Sequence, residues 1–230
     1  MLATMRQTAE LADLFRRQGI QESFRKGDII MKPGDTPPGV FYIYEGLVKV
    51  FTYTHFSEEN LVIIRDAQAV FPFVWAITGL ERKMGYRAMT ATTTWRISRQ
   101  EFIRHLQTNH ESMTSLLDMS IELYRLQTDR VLNLEYRTVR ERLISFLLTM
   151  GQRFGEQTSH GMLIAIPFTR QDIANSVNAT RETVSRELAT LQRLGLIETR
   201  RDGITIKNQQ NMVRYLQPKS PVVKPTSSSE

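Results

Sequence analysis

The stretch Phe168–Ile206, FTRQDIANSVNATRETVSRELATLQRLGLIETRRDGITI, decides how this chain folds and what it meets. Thr169 followed three residues later by Asp172 is a capping-box pattern: the hydroxyl accepts from a free backbone amide and the carboxylate reaches back, so a helix starts there. Ile173 and Val177, four apart, give that helix one apolar face. Asn178-Ala179 is short turn chemistry, and Thr180 is a second good N-cap. From about Arg181 to Leu194, stepping about 100° per residue, Val184, Leu188 and Leu191 fall on one side. Arg181, Glu182, Ser185 and Arg186 fall on the other, near the helix N-terminus. Gly195 stops the helix, and Leu196–Thr199 and Ile204–Ile206 read as two strands joined by Arg200-Arg201-Asp202-Gly203, an Asp-Gly hairpin signal. Two short helices, a tight turn and a two-stranded wing describe a winged helix-turn-helix.

That geometry gives the exposed residues a task. A recognition helix enters the major groove N-terminus first, so its first two turns reach base edges. The fork of arginine matches the two acceptors of guanine, and a glutamate accepts from the amino group of cytosine. Glu182 is diagnostic, because a carboxylate against DNA helps a sequence reader and hinders a non-specific phosphate binder. Thr169 and Arg170, with the free amides of the first helix, would clamp phosphate, as would the wing arginines Arg200 and Arg201. Gln171, Thr180 and Ser185 complete the candidate DNA-contacting set. On an isolated helix the same residues would read as a solvated face with i,i+4 charge pairs. Here the caps, the turn and the wing all agree on one arrangement, and the charge distribution adds to them.

Residues 137–230 carry 14 Lys and Arg against 8 Asp and Glu, whereas residues 1–136 carry 16 of each, so the whole excess of +6 sits in the C-terminal segment. A basic module joined to a neutral one points to a polyanionic partner for the smaller part. At 230 residues the chain suits one large or two modest domains, and its 41% hydrophobic content can bury a core. It has no cysteine, which excludes disulfides, thiolate zinc sites, cysteine nucleophiles and cysteine-ligated iron-sulfur clusters. No apolar run approaches the roughly 18 residues of a membrane span. The opening MLATMRQTAELADLFRRQ is broken by Arg6, Glu10, Asp13 and Arg16 and lacks the apolar core of a secretory signal. The expected location is the cytoplasm, with no membrane partner.

Upstream, from Phe24 to about Phe102, short β-rich runs alternate with turn signals: Asp28–Lys32, Val40–Tyr44, Leu47–Thr54, Asn60–Arg65 and Tyr86–Ile97, with a helical period only near Trp75. Such spacing fits an antiparallel jelly roll. From about Asn109 to Tyr136 one long helix without Gly or Pro is expected. Met113, Leu117, Ile121, Tyr124 and Val131 form one apolar set and Leu116, Leu123 and Leu134 a second, which suits packing on its own domain and on a partner helix. A further helix over Val139–Met150 ends at Gly151, QRFGEQTSHG reads as a loop, and Met162–Ile166 as a short strand. The predicted class is α+β: an N-terminal antiparallel jelly roll (1–108), a dimerisation helix (109–136), a winged helix-turn-helix (137–216) and a disordered, Pro- and Ser-rich tail (217–230).

The residues Thr169, Arg170, Ile173, Ala174 and Thr180 to Val184 with Arg186 match the T-R-x-x-[IL]-A/G…[ST]-R-E-[TS]-V-x-R core of the CRP/FNR superfamily of bacterial transcription regulators, which this segment resembles. Phe24–Asp35 and the hairpin Phe41–Phe51 are similar to the opening of that family's cyclic-nucleotide-binding jelly roll, and RVLNLEYRTVRERLISFLL to the end of its dimerisation helix and the hinge. The resemblance implies a homodimer on double-stranded, palindromic DNA with half-sites related to TGTGA. Positions matching Arg181, Glu182 and Arg186 would read bases, Thr169 would touch phosphate, and RNA polymerase is an expected partner.

The effector pocket departs from the family pattern. The G-E pair that holds the ribose of a cyclic nucleotide falls on Phe71 and Pro72, and proline has neither carboxylate nor amide. Arg82 survives, followed by Lys83 in place of Ser. This argues against cyclic AMP, while leaving Arg82, Lys83, Gln127 and Thr128 as candidate effector contacts. Phe71, Phe73, Val74 and Trp75 are candidates for a small apolar site or for plain core. The four histidines, His55, His105, His110 and His160, form no haem or zinc spacing, so no cofactor is expected. A metal-dependent cupin enzyme would need more ligands than His55 supplies on the strands. Two readings stay open: a regulator answering to an effector other than cyclic AMP, and an effector-independent DNA binder whose sensor half has degenerated.

Overall fold

A computed structural model describes residues 9–54, 59–80 and 83–217. Helix α1 (Ala9–Gln18) leads into strands β1 (Ile20–Phe24), β2 (Ile29–Met31), β3 (Val40–Glu45), β4 (Val48–Tyr53), β5 (Glu59–Arg65) and β6 (Val70–Phe71). Helix α2 (Phe73–Thr78) and strands β7 (Gly85–Ala88) and β8 (Thr92–Ile97) follow. They form two four-stranded antiparallel sheets, ordered β1-β8-β3-β6 and β2-β7-β4-β5, as expected of a jelly roll. Apolar side chains from both sheets meet between them. Phe71 stacks on its cross-strand neighbour Phe41 at 5.0 Å and, across the layers, on Tyr86 at 4.8 Å between ring centroids.

The strand reading needs two corrections. Tyr86–Ile97 is not one run but two strands in opposite sheets. The chain corners at Thr90 and Thr92, whose hydroxyls take up the Leu47 amide and the Thr90 carbonyl and so replace ladder bonds. Gly46 faces this corner with φ +99°, where a Cβ would stand 2.5 Å from the Ala91 carbonyl. The β region also begins earlier than Phe24, at Ile20, in a largely polar strand at the sheet edge. The helical period near Trp75 is α2, closed by Gly79 in the left-handed region.

Helix α3 (Arg99–Thr108) starts on a capping box of Ser98 and Glu101. Asn109 caps the long helix α4 (His110–Tyr136), and both of its apolar sets find a distinct environment. Leu116 is buried and Leu123 and Leu134 half-buried against the chain's own core. The other set is bare, with Leu117 59%, Ile121 57% and Tyr124 74% exposed.

Helix α5 (Val139–Phe154) runs past the expected stop at Gly151, which is buried in its last turn. A Cβ there would lie 2.8 Å from the Met162 sulfur, so this glycine answers to space and not to termination. The stretch expected as a loop instead contributes strand β9 (Gly155–Thr158), which pairs with β10 (Gly161–Ile164). Helices α6 (Arg170–Ser176) and α7 (Arg181–Arg193), strands β11 (Ile197–Arg200) and β12 (Gly203–Ile206) and helix α8 (Gln209–Leu216) complete the described chain. The wing is therefore part of a four-stranded sheet, β11-β12-β10-β9, and not a two-stranded hairpin alone. Of the expected tail, residues 218–230 lie outside the described residues. Among the described residues no helix is long and apolar enough to cross a membrane.

Candidate nucleic-acid interface

The Thr169 hydroxyl accepts from the Asp172 amide at 3.0 Å while the Asp172 carboxylate accepts from the Thr169 amide at 3.0 Å, so α6 begins on the expected capping box. Ile173, Ala174 and Val177 bury the inner face of α6 against Val184, Leu188 and Leu191 of α7. Burial of each large aliphatic among them contributes about 1.5–3 kcal/mol. Asn178 takes φ +49° in the turn, a conformation Asn tolerates, and its carbonyl accepts from Arg142 at 3.3 Å. Thr180 then caps α7.

With the inner face spent on packing, the outer face of the first two turns of α7 is free. Arg181, Glu182, Ser185 and Arg186 are all exposed, and among the described residues no ion pair joins Glu182 to Arg186. The helix is fastened from behind: Arg140 of α5 pairs with Glu187 at 2.6 Å. Thr169, Gln171 and Thr180 are exposed beside it, and Arg170 is half-buried, which lowers its pKa. In the wing, Arg200 is engaged by Glu198 at 2.7 Å, whereas Arg201 stands exposed on the connecting turn. Lys207 and Arg200 together hold the Glu198 carboxyl down to about 2.

Two hollows flank β5 and α4. A cavity of about 330 Å³ opens between β5, α2 and the middle of α4, walled by Val62, Phe71, Phe73, Trp75, Met84 and others, with Arg65, Tyr86 and Gln127 as its polar members. A smaller cleft of about 120 Å³ separates β5 from the end of α4 and from α5. Next to that cleft α6 docks on β5, and polar bonds cross the junction. Lys49 of β4 pairs with Asp172 at 2.5 Å and with Glu59 at 3.2 Å, and Glu59 pairs with Arg87 at 2.5 Å. Asn175 donates to the Glu59 carbonyl, and Arg130 of α4 donates to the carbonyls of Val62 and Asn175.

A sequence model of the cyclic nucleotide-binding domain matches residues 21–109, and one of the Crp-like helix-turn-helix domain matches residues 141–215. The Global nitrogen regulator of Synechocystis sp. is 28% identical over 213 residues, covering 89% of this chain and 95% of that protein. Two solved structures share the fold. FixK2 from Bradyrhizobium japonicum is 23% identical with a TM-score of 0.74, covering 88% and 99% of the two chains. A CooA variant from Carboxydothermus hydrogenoformans is 19% identical with a TM-score of 0.76, covering 93% and 99%. The chain belongs to the CRP/FNR family of transcription regulators.

In this CRP/FNR regulator the candidate effector contacts scatter. Arg82 lies outside the described residues, as does His55. Lys83 is exposed, with its carbonyl taken by the Thr52 hydroxyl. Gln127 lines the 330 Å³ cavity, but Thr128, next to it, does not, because neighbours on a helix point about 100° apart. Val74 and Trp75 join Phe71 and Phe73 in the wall. Sequence reasoning missed Arg65, Lys49 and Glu59. The one available signal was period two: Ile63 and Arg65 share a strand face, and both line the cavity.

Proposed function

We propose that this transcription regulator binds a palindromic DNA site as a homodimer, with the first two turns of α7 in the major groove and the bare stripe of α4 as the subunit seam. Two observations support it: an exposed Arg181-Glu182-Ser185-Arg186 face on a helix whose other face is fully packed, and an unburied apolar row on the long helix. A two-fold axis along α4 would set the two recognition helices for successive major-groove faces about 34 Å apart. Arg181, Glu182, Ser185 and Arg186 read bases, while Thr169, Arg170, Gln171, Thr180 and the wing arginines Arg200 and Arg201 hold phosphate. The protein acts in the cytoplasm without catalysing a reaction, with RNA polymerase as its partner at the promoter. Residues 1–108 form the sensor, 109–136 the dimerisation helix and 137–216 the DNA-binding unit.

The cavity favours the effector-controlled reading over a degenerate sensor, since a pocket of about 330 Å³ has the size of a small-ligand site. The effector is not cyclic AMP: Phe71, at the position of the ribose-binding pair, is spent in the aromatic stack of the core. Selection of binding sites from random duplex DNA at fixed salt tests the proposal. Enrichment of a palindrome with arms related to TGTGA is expected. Recovery of only non-palindromic sites would remove the dimeric reader.

A further inference from the structure

Arg65 ends β5 with only 6% of its surface exposed, in the wall of the 330 Å³ cavity. Its Nη2 donates to the Val70 carbonyl at 3.0 Å and to the Met119 sulfur at 2.9 Å, both of them neutral acceptors. Among the described residues no carboxylate forms an ion pair with it. The adjacent Asp66 lies instead 3.6 Å from Arg153. Burial is the chief cause that lowers the Arg65 pKa to about 10 and the like charge of Arg153 adds to it, while the Asp66 carboxylate and Tyr86 offset part of the shift. At neutral pH the guanidinium is nevertheless a cation, placed among apolar walls and hydrogen-bonded to neutral acceptors, with the Asp66 carboxylate near it but forming no ion pair with it. A buried charge in that condition is costly unless an opposite charge accompanies it.

The remaining walls limit what that opposite charge is attached to. Val62, Phe71, Phe73, Trp75 and Met84 offer apolar and aromatic surface, and beside Arg65 the polar groups are one neutral amide, on Gln127, and one phenol, on Tyr86. A multiply charged or sugar-like ligand would leave most of its polar groups unpaired there. A ligand with one anionic head and an apolar body would pair the head with the guanidinium fork, whose geometry suits a carboxylate, and bury the rest. We propose that the sensor cavity takes a small apolar carboxylic acid as its carboxylate, with Arg65 as the counter-ion. This rests on the reading of the cavity as the effector site. Because Arg65 also bonds Val70 and touches Met119 of α4, the ligand head would compete for a group that links the β5–β6 turn to the long helix.

The test uses the whole chain and matched probes: 2-naphthoate with 2-naphthamide, and octanoate with octanamide, titrated by calorimetry. Each acid is expected to bind at least tenfold more tightly than its amide. That preference is expected to vanish in Arg65→Met and to persist, weakened, in Arg65→Lys, both checked for folding by DNA binding. Equal affinity of acid and amide in the unaltered protein would overturn the anion while leaving the cavity an effector site. Binding of none of the four would overturn both readings. Acid preference retained in Arg65→Met would place the counter-ion elsewhere and overturn the role of Arg65. The acid-to-amide comparison in the unaltered chain decides the matter even if Arg65→Met does not fold.

Discussion

Lys49 in the N-terminal jelly roll and Asp172 in the first helix of the helix-turn-helix form an ion pair of 2.5 Å, with their side chains 12% and 6% exposed. Asp172 thus has two tasks: it closes the capping box on Thr169 and it anchors α6 to β4. Removing one partner of a buried pair leaves an uncompensated charge, which typically costs roughly 3–5 kcal/mol. Lys49→Met is expected to destabilise the protein toward the low end of that range, since Thr169 still bonds the carboxylate. Urea unfolding of Lys49→Met, Asp172→Asn and the double variant would show the double losing less than the sum of the singles. Additive losses would mean that the two residues do not interact.

The same pair makes stability depend on pH with a defined sign. Burial by itself pushes the Asp172 carboxyl up, but hydrogen bonds from Lys49 and Thr169 together with the Lys49 charge outweigh it and hold the folded pKa below the ordinary value. A carboxyl depressed on folding contributes stability that is present above its unfolded pKa, near 4, and lost as pH falls through the folded value. In Lys49→Met the hydrogen bond and the charge of Lys49 are gone while those from Thr169 remain, so the depression shrinks and less stability is lost on acidification. The stability gap between the two proteins is therefore expected to narrow as pH falls from 6 toward 3, as followed by urea midpoints. A gap constant over that interval would exclude Asp172 as its origin.

The bare row on α4 carries a separate expectation. Ile121 is 57% exposed, so Ile121→Glu leaves the fold of one subunit nearly untouched while placing a carboxylate in the proposed seam. Light scattering is expected to report a fall from twice the chain mass to 26.6 kDa at micromolar protein, with loss of tight binding to a palindromic site. A variant that stays dimeric would move the seam away from this face.

How much of this was legible in the sequence depends on how local each signal is. The start of α6, the cap at Thr180 and the buried row Val184-Leu188-Leu191 are written within a few residues of one another, and the structure places them as read. Strand β9 escaped because GEQT carries no apolar alternation: it is ordered by pairing with β10 and not by its own pattern. Gly151 misled because termination and close packing both select glycine, and only the Met162 sulfur beside it tells them apart. The Lys49–Asp172 pair joins residues 123 positions apart, and Arg65 looks like the polar end of an apolar strand until the chain folds it against Met119. Such contacts are properties of the assembled core, which no single segment encodes.

Glu182 and Arg201 are expected to separate base reading from phosphate binding. Both are exposed, but Glu182 sits in the first turn of α7 and Arg201 on the wing turn. A carboxylate near DNA repels phosphate everywhere and gains only where a cytosine amino group is offered, so Glu182→Ala is expected to relax base preference at one position of each half-site with little loss of overall affinity. Arg201→Gln should instead weaken all sequences alike and reduce the slope of log affinity against log salt by about 1 for each phosphate left without its cation. Arg200 should matter less than Arg201, because its guanidinium is already paired with Glu198. Binding to the selected site and to single-base variants, each measured at several salt concentrations, resolves the two effects. If Glu182→Ala weakened every sequence equally, α7 would not be reading bases through Glu182; if Arg201→Gln left the salt slope unchanged, the wing turn would not reach the backbone.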